Sequence, residues 1–216
     1  MKLWRTGISG LDEFLQGGLP SNVFVLLGPP GAGIEVFARQ IAYAGAKQGG
    51  VTYCTVTRSA EAVREEMAAY GWDVPALEDA EAWKFLSLQH ATSLQALVLD
   101  EVKQRRRVVV DSLSEILFTH QLEDVIAVVT AMTAQNMEAQ ELHFLLLTEG
   151  MQDPQAETAL QHFADGVISF TLRYEAEASS RRLMLKKLRG ATVPTRSLPY
   201  IIRRNGFMIE TAIRIT

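Results

Sequence analysis

The chain has 216 residues, of which 48% are hydrophobic and 21% charged, and its formal net charge is −4. These proportions are typical of a globular protein and exclude a disordered or fibrous chain. The length fits one domain with a full core, so we expect residues 1–216 to form a single domain. A slightly acidic chain is a poor candidate for sequence-independent DNA binding, which needs a broad basic face.

The apolar runs are too short for a membrane. Runs such as Val23–Leu27 fall far short of the roughly 20 residues of a membrane span, and no apolar stretch follows Lys2 and Arg5. We therefore expect a cytoplasmic protein without a membrane span. The lone cysteine, Cys54, excludes a disulfide framework and a cysteine-based zinc site, and we expect it to be a buried thiol. Four histidines lack metal-ligand spacing, so no metal site is expected: His90, His120, His143 and His162.

Strands and helices alternate through most of the chain. The apolar run Val23–Leu27 precedes a Gly/Pro cluster, which is typical of a buried strand. One helical face follows, formed by Ile34, Phe37, Ala38, Ile41 and Ala42. Further strands are predicted at 51–56, 83–88, 108–110 and 143–148, with helices at about 59–70, 93–104 and 123–140. Such alternation predicts a parallel sheet with helices on both faces.

The pattern changes after Asp165. Consecutive strands are predicted at 167–174, 182–188, 200–204 and 207–211. The breaks at 175–180 and at Asn205-Gly206 favour antiparallel hairpins. The predicted fold class is therefore α/β, with a mainly parallel core over about residues 5–170 and antiparallel C-terminal hairpins over about residues 165–211.

The segment between the first buried strand and its helix resembles a phosphate-binding loop, G-x-x-x-x-G-K-[ST]. It reads Gly28-Pro29-Pro30-Gly31-Ala32-Gly33-Ile34-Glu35. The two glycines are correctly spaced, but Ile34 stands in place of the lysine and Glu35 in place of the hydroxyl. At about 4 Å and an effective dielectric of about 20, two unit charges interact by roughly 4 kcal/mol, so this exchange weakens nucleotide binding strongly. Two interpretations remain open, a structural strand-to-helix turn and residual nucleotide binding through the backbone N–H groups.

Six collinear motifs between residues 5 and 190 resemble those of the KaiC/RadA-like branch of the RecA-type P-loop ATPases. They are Thr6–Pro20, Gly28–Gly33, Ala69–Asp73, Val108–Leu113, Phe163–Ile168 and Lys187–Gly190. The resemblance implies a RecA-like, three-layer αβα fold that assembles into a ring, commonly a hexamer. It also implies that ATP lies between neighbouring subunits, with a K-x-R finger of one subunit reaching the nucleotide of the next.

The resemblance identifies which catalytic groups have been replaced. Asp111 matches the Walker B aspartate. Where the family has two catalytic glutamates in F-E-E-S, this chain has Thr57 and Arg58, which cannot supply a general base. Together with Ile34 and Glu35, this makes four positions at which a phosphate-binding or catalytic side chain of the family has been replaced. We therefore expect no catalytic residue. We also expect no bound cofactor, with ATP and Mg²⁺ relevant only to residual binding, because Asp111 alone cannot retain Mg²⁺ tightly.

The finger motif is retained as Lys187 and Arg189, which alternate on a predicted strand and so point to one side. Two interpretations are open, a finger that completes a neighbour's site and ordinary solvated charges. The first requires an active paralogue, because a homo-oligomer would have no ATP for the finger to contact.

Three functions follow from these observations. The first is an inactive KaiC-like protein that acts as an oligomeric scaffold or regulatory subunit, with protein partners. The second is a divergent ATPase that takes its catalytic groups from elsewhere. The third is a RadA-paralogue-like accessory that binds DNA, suggested by Arg105-Arg106-Arg107 and Arg203-Arg204. A solvated strand entry is the commoner explanation of Arg105–Arg107, because no aromatic residues for base stacking are interleaved nearby.

Overall fold

A computed structural model describes residues 2–89, 93–174, 179–190 and 192–210. Three parts of the predictions lie outside these described residues. They are residues 175–178 of the break predicted at 175–180, the end of the last predicted strand at Thr211, and His90. The strands are β1 (Leu3–Trp4), β2 (Leu19–Pro20), β3 (Val23–Gly28), β4 (Val51–Thr55), β5 (Trp83–Ser87), β6 (Arg107–Asp111), β7 (His143–Thr148), β8 (Gly166–Tyr174), β9 (Ser179–Leu188), β10 (Leu198–Arg203) and β11 (Gly206–Ile209). The helices are α1 (Leu11–Phe14), α2 (Ile34–Gly49), α3 (Ala60–Ala68), α4 (Val74–Asp79), α5 (Leu94–Lys103), α6 (Leu113–Ile116), α7 (Leu122–Ala139) and α8 (Pro154–Phe163).

One large sheet organises the described residues, with the strand order β11-β10-β9-β8-β3-β7-β6-β4-β5. Strands β3 to β8 run parallel to one another, whereas β9, β10 and β11 each pair antiparallel to their neighbours. This confirms the predicted α/β class with antiparallel C-terminal strands. We call β8–β11 the C-terminal extension.

Two hydrophobic clusters lie on opposite faces of the sheet. One joins α2, α3 and α4 to the sheet and contains the predicted face of α2, including Phe37 and Ile41. The other packs α5, α6, α7 and α8 against the opposite face and includes Cys54. Cys54 is buried, as predicted, and burial raises the pKa of its thiol.

Hydrophobic periodicity missed four short helices, α1, α4, α6 and α8, and two of them carry start signals in the sequence. Helix α8 begins after Asp153, whose carboxylate accepts hydrogen bonds from the backbone N–H groups of Gln155 and Ala156. Helix α4 likewise begins after Asp73, which accepts from Ala76 N–H, and carries a proline in its first turn. An Asp cap followed by proline is a readable helix start, so the sequence did contain the missing signal.

The arginine run Arg105-Arg106-Arg107 can be interpreted from sequence either as a DNA-binding patch or as a solvated strand entry. Neither interpretation is right for Arg106 and Arg107. Arg107 is 1% exposed and stacks over the ring of Trp4. A Cβ on Gly45 would lie 1.7 Å from Nη1 of Arg107, so the missing side chain of Gly45 makes room for the guanidinium. Arg106 donates to the carbonyl oxygen of Val51 and to Oγ1 of Thr52. These two arginines therefore hold strands together and leave only Arg105 exposed.

Candidate functional site

The phosphate-loop segment joins the end of β3 to the start of α2, as its sequence predicts. Gly33, the residue before the helix, adopts a left-handed φ of 81°. Ile34 is 7% exposed and belongs to the hydrophobic cluster. Its Cγ2 lies 3.0 Å from the position that a Cβ on Gly28 would take. The side chain at the lysine position is therefore packed within the core, at the base of the loop.

The C-terminal extension covers the same loop from the outside. The hydroxyl of Tyr200 donates to the carbonyl oxygen of Ala32 at 2.7 Å. A Cβ on Gly33 would lie 2.1 Å from Cδ1 of Ile202, so an added side chain would have to displace Ile202, and the left-handed φ also favours glycine. Burial raises the pKa of Tyr200, which keeps its hydroxyl protonated and able to donate. The loop is thus fixed between the core and the extension.

Asp111 ends β6 at the edge of the sheet where the loop also lies, because β3 and β6 are both parallel to β7. Its Oδ2 accepts a hydrogen bond from the hydroxyl of Tyr53 at 2.5 Å and another from Nη2 of Arg39 at 3.0 Å. Arg39 comes from α2 and only 3% of its side chain is exposed. Its Nη1 forms a second ion pair, at 2.6 Å, with Glu66 of α3.

The charge states of this group are well defined. Burial alone would lower the pKa of Arg39, but its contacts with Tyr53 and Asp111 outweigh burial and raise that pKa above its ordinary value. Burial and the nearby Asp111 raise the pKa of Tyr53. Asp111 therefore faces two donors, a guanidinium and a protonated phenol.

Thr57 and Arg58 follow β4 at the same edge, and each is bonded to a carboxylate of another structural element. Thr57 donates through Oγ1 to Glu115 at 2.8 Å, and its N–H donates to the same carboxylate at 3.3 Å. Arg58 forms an ion pair with Glu66, the residue that also binds Arg39. Sequence reasoning missed Arg39, Tyr53, Glu66 and Glu115 because none lies in a recognised motif.

Lys187 and Arg189 lie at the opposite edge of the sheet. Lys187 pairs with Val167, which pairs with Val25 of β3. Three residue steps separate Val25 from Gly28, or about 10 Å along the strand at the usual rise of about 3.3 Å per residue. These side chains are thus remote from the loop of their own chain.

Both residues have partners within the chain. Lys187 Nζ donates to the carbonyl oxygens of Gln161, His162 and Ala164 at the end of α8. Arg189 pairs with Asp165 at 2.8 Å, while 62% of its side chain remains exposed. Lys187 is therefore engaged at a helix end, whereas Arg189 remains mostly exposed although it is paired with Asp165.

Comparison with known proteins identifies the family. The family model described as "ATPase: KaiC" matches residues 4–212. The chain belongs to the KaiC family.

Relatives in the KaiC family include several UPF0273 proteins. The chain is 27% identical to one from Aeropyrum pernix and 26% identical to one from Methanocaldococcus jannaschii. Those alignments cover 98% and 97% of this chain and 95% and 96% of the relatives. A relative from Pyrococcus horikoshii is 42% identical over 78 residues, and there the chain matches only 31% of the relative's length.

A solved structure supports the fold. The KaiC-like protein from Pyrococcus horikoshii superimposes with a TM-score of 0.81, covering 97% of this chain and 99% of that one, at 22% identity. The RecA-like fold implied by the motifs is thereby confirmed. Within the described ranges, no helix combines the length and apolar character that a membrane crossing requires.

The KaiC family implies a magnesium–nucleotide site, and the residues around Asp111 do not fit one. Mg²⁺ needs oxygen ligands in near-octahedral geometry, whereas Asp111 is surrounded by the donors Arg39 and Tyr53. In the described part of the chain, no three His, Cys, Asp or Glu side chains form a cluster suited to a metal ion.

Proposed function

We propose that this KaiC-family chain does not turn over nucleotide and acts through assembly, as an oligomeric scaffold or regulatory subunit. The observation that carries the proposal is Ile34, which is 7% exposed against Gly28 where the family places a phosphate-binding lysine. A buried alkyl chain offers no charge to a triphosphate. Glu35, the next residue, adds a negative charge at the start of α2, where an anion would otherwise be favoured.

The positions of the lost glutamates support the same proposal. A general base must reach the water that attacks the nucleotide. Thr57 is bonded to Glu115, and Arg58 is paired with Glu66. Neither residue can accept a proton from water in this arrangement, so the chain lacks both the binding charge and the base at the positions the family uses.

Assembly is supported by family membership and by the geometry of Arg189. This side chain is 62% exposed at the sheet edge remote from its own loop, so it is accessible to a neighbouring subunit. An active paralogue is the partner that would give the finger a nucleotide to contact. DNA binding is not proposed, because Arg106 and Arg107 are engaged within the chain and the exposed arginines of the two clusters, Arg105, Arg203 and Arg204, are too few for a broad basic face.

Isothermal titration with Mg²⁺ and ATP tests the loss of nucleotide binding. We expect no saturable heat from the wild-type chain at micromolar ATP. The matched variant Ile34→Lys/Glu35→Thr restores the family's loop residues and keeps the glycines. Micromolar binding by the wild type, together with turnover that disappears in Asp111→Asn, would overturn the proposal.

Light scattering tests the assembly role. We expect the wild-type chain to form the same oligomer with and without ATP. Arg189→Ala is the companion variant, with Arg196→Ala as a control at another exposed arginine of the extension. A protein that is monomeric throughout, alone and mixed with an active paralogue, would contradict the scaffold proposal.

A second candidate is residual nucleotide binding through the backbone of the loop. It is favoured by the left-handed glycines Gly31 and Gly33, at φ 82° and 81°. Among the described residues, no side chain caps the first turn of α2. Backbone N–H groups at such a helix start can hold a phosphate. Binding that survives Asp111→Asn and needs no Mg²⁺ would support this candidate and not a divergent ATPase.

A further inference from the structure

Asp111 lies in a chain of alternating charges that crosses four structural elements. Arg58, after β4, pairs with Glu66 of α3, which pairs with Arg39 of α2, which pairs with Asp111 of β6. Two positive and two negative charges therefore balance one another within the protein. Such an arrangement offers no excess negative charge to attract a divalent cation.

Arg39 is held by all three of its guanidinium nitrogens. Nε donates to the hydroxyl of Tyr53 at 2.8 Å, Nη1 to Glu66 at 2.6 Å and Nη2 to Asp111 at 3.0 Å. With 3% of the side chain exposed, the guanidinium cannot exchange these partners for water. A buried arginine in this setting needs its carboxylates, because an unpaired buried charge is strongly destabilising.

Tyr53 adds a second donor to one oxygen of the Asp111 carboxylate. Its hydroxyl donates to the same Oδ2 atom that receives Arg39. A metal ion at this oxygen would have to displace a cation and turn a phenol proton away. Only 15% of the Asp111 side chain is exposed, which limits approach by a hydrated ion.

We propose that Arg39 is the permanent counter-cation of Asp111 and takes the place of the divalent metal expected beside a Walker B aspartate. Asp111 then serves as a structural ligand for Arg39, which ties α2 and α3 to the sheet. This accounts for an aspartate retained in a site whose other nucleotide contacts have been replaced. The inference rests on the proposed function in one respect, since it assumes that Asp111 has no nucleotide-bound metal to hold.

Thermal unfolding without nucleotide tests this role. In the wild type we expect the same Tm in EDTA and in millimolar Mg²⁺ or Mn²⁺. Arg39→Met leaves Asp111 without its cation, so Tm should fall by roughly 10 °C in EDTA, and Mn²⁺ should recover part of that loss. The recovery should disappear in Arg39→Met/Asp111→Asn, whereas the matched variant Arg39→Lys should stay insensitive to metal.

Direct titration of the wild type with Mn²⁺ decides the question even if Arg39→Met fails to fold. Saturable binding that disappears in Asp111→Asn would overturn the inference, as would an Arg39→Met protein as stable as the wild type. Failure of the proposed function is distinguishable, because its assembly role is read from light scattering. A chain that stays monomeric throughout, alone and mixed with an active paralogue, would overturn that function and leave the role of Arg39 intact.

Discussion

The hydroxyl of Tyr200 lies 2.7 Å from the carbonyl oxygen of Ala32, joining strand β10 to the loop after β3 across 168 residues of sequence. Tyr200 is 1% exposed and stacks on Phe207 at 4.3 Å between ring centroids. The contact couples the antiparallel extension to the segment whose sequence resembles a phosphate-binding loop. The extension therefore covers the loop and is bonded to its backbone.

Removing that hydroxyl should destabilise the fold. Tyr200→Phe leaves the carbonyl of Ala32 buried without this donor, and we expect a loss of about 1–2 kcal/mol in the free energy of unfolding. Urea denaturation measures it. Tyr174→Phe is the matched control, because Tyr174 is 79% exposed and the same change there should cost less than about 0.5 kcal/mol. Equal effects of the two substitutions would show that the Tyr200 contact does not stabilise the loop.

Gly33 should tolerate no side chain. Its φ of 81° is unfavourable for other residues, and an added Cβ would meet Cδ1 of Ile202 at 2.1 Å. We expect Gly33→Ala to cost at least about 2 kcal/mol, combining backbone strain with overpacking. Chemical denaturation of the purified variant gives the value.

A second glycine separates these two causes. Gly150 has a φ of 80°, and no described atom lies within 4 Å of its added Cβ. Gly150→Ala should therefore cost only the strain, about 1–2 kcal/mol. Ile202→Ala should relieve part of the Gly33→Ala penalty through a double-mutant cycle. Additive effects at Gly33 and Ile202 would contradict the packing explanation.

The sequence predicted the architecture well because strand and helix order is encoded locally. The apolar run before Gly28 and the hydrophobic face of α2 locate the loop, and the change of pattern after Asp165 locates the extension. The partners of Asp111 could not be predicted in this way. Arg39 is 72 positions distant and sits beside apolar residues in a helix, where a long side chain would usually extend to solvent.

Lys187 illustrates the same limit. Its motif left two interpretations open, a finger toward a neighbouring subunit and a solvated charge, and neither anticipates that its ammonium contacts three carbonyl oxygens at the end of α8 within the same chain. Those acceptors belong to a helix that hydrophobic periodicity missed. A motif identifies the residue type that a position requires, but the acceptors depend on how distant elements pack.

Lys187 should therefore stabilise α8. Lys187→Met removes a donor and a positive charge from the helix C-terminus, and we expect a loss of about 1–2 kcal/mol with faster amide exchange in the last turn of α8. Lys186→Met changes an exposed neighbour and should be nearly neutral. Unchanged stability and exchange in Lys187→Met would indicate that this lysine is free to act on another subunit.

Stability should fall on mild acidification because of His143. This ring is fully buried, accepts a hydrogen bond from Val108 N–H through Nδ1, and lies 3.1 Å from Oδ1 of Asn136 through Nε2. Burial first, and the nearby Arg107 second, lower its pKa to about 3. Between that value and the ordinary 6.5, the unfolded chain binds a proton that the folded chain does not, so stability decreases as pH falls.

The expected change can be isolated with two variants. From pH 7.5 to 5.5, protonation of His143 in the unfolded state should remove about 1.4 kcal/mol of stability. The carboxyls of Glu141 and Asp165, whose pKa values are raised by burial, act in the opposite direction at lower pH and are present in every variant. Denaturation of His143→Gln should lack the histidine contribution, whereas His162→Gln, changed at an exposed ring, should lose stability as the wild type does. An identical pH dependence in the wild type and His143→Gln would mean that folding does not lower the pKa of the buried ring.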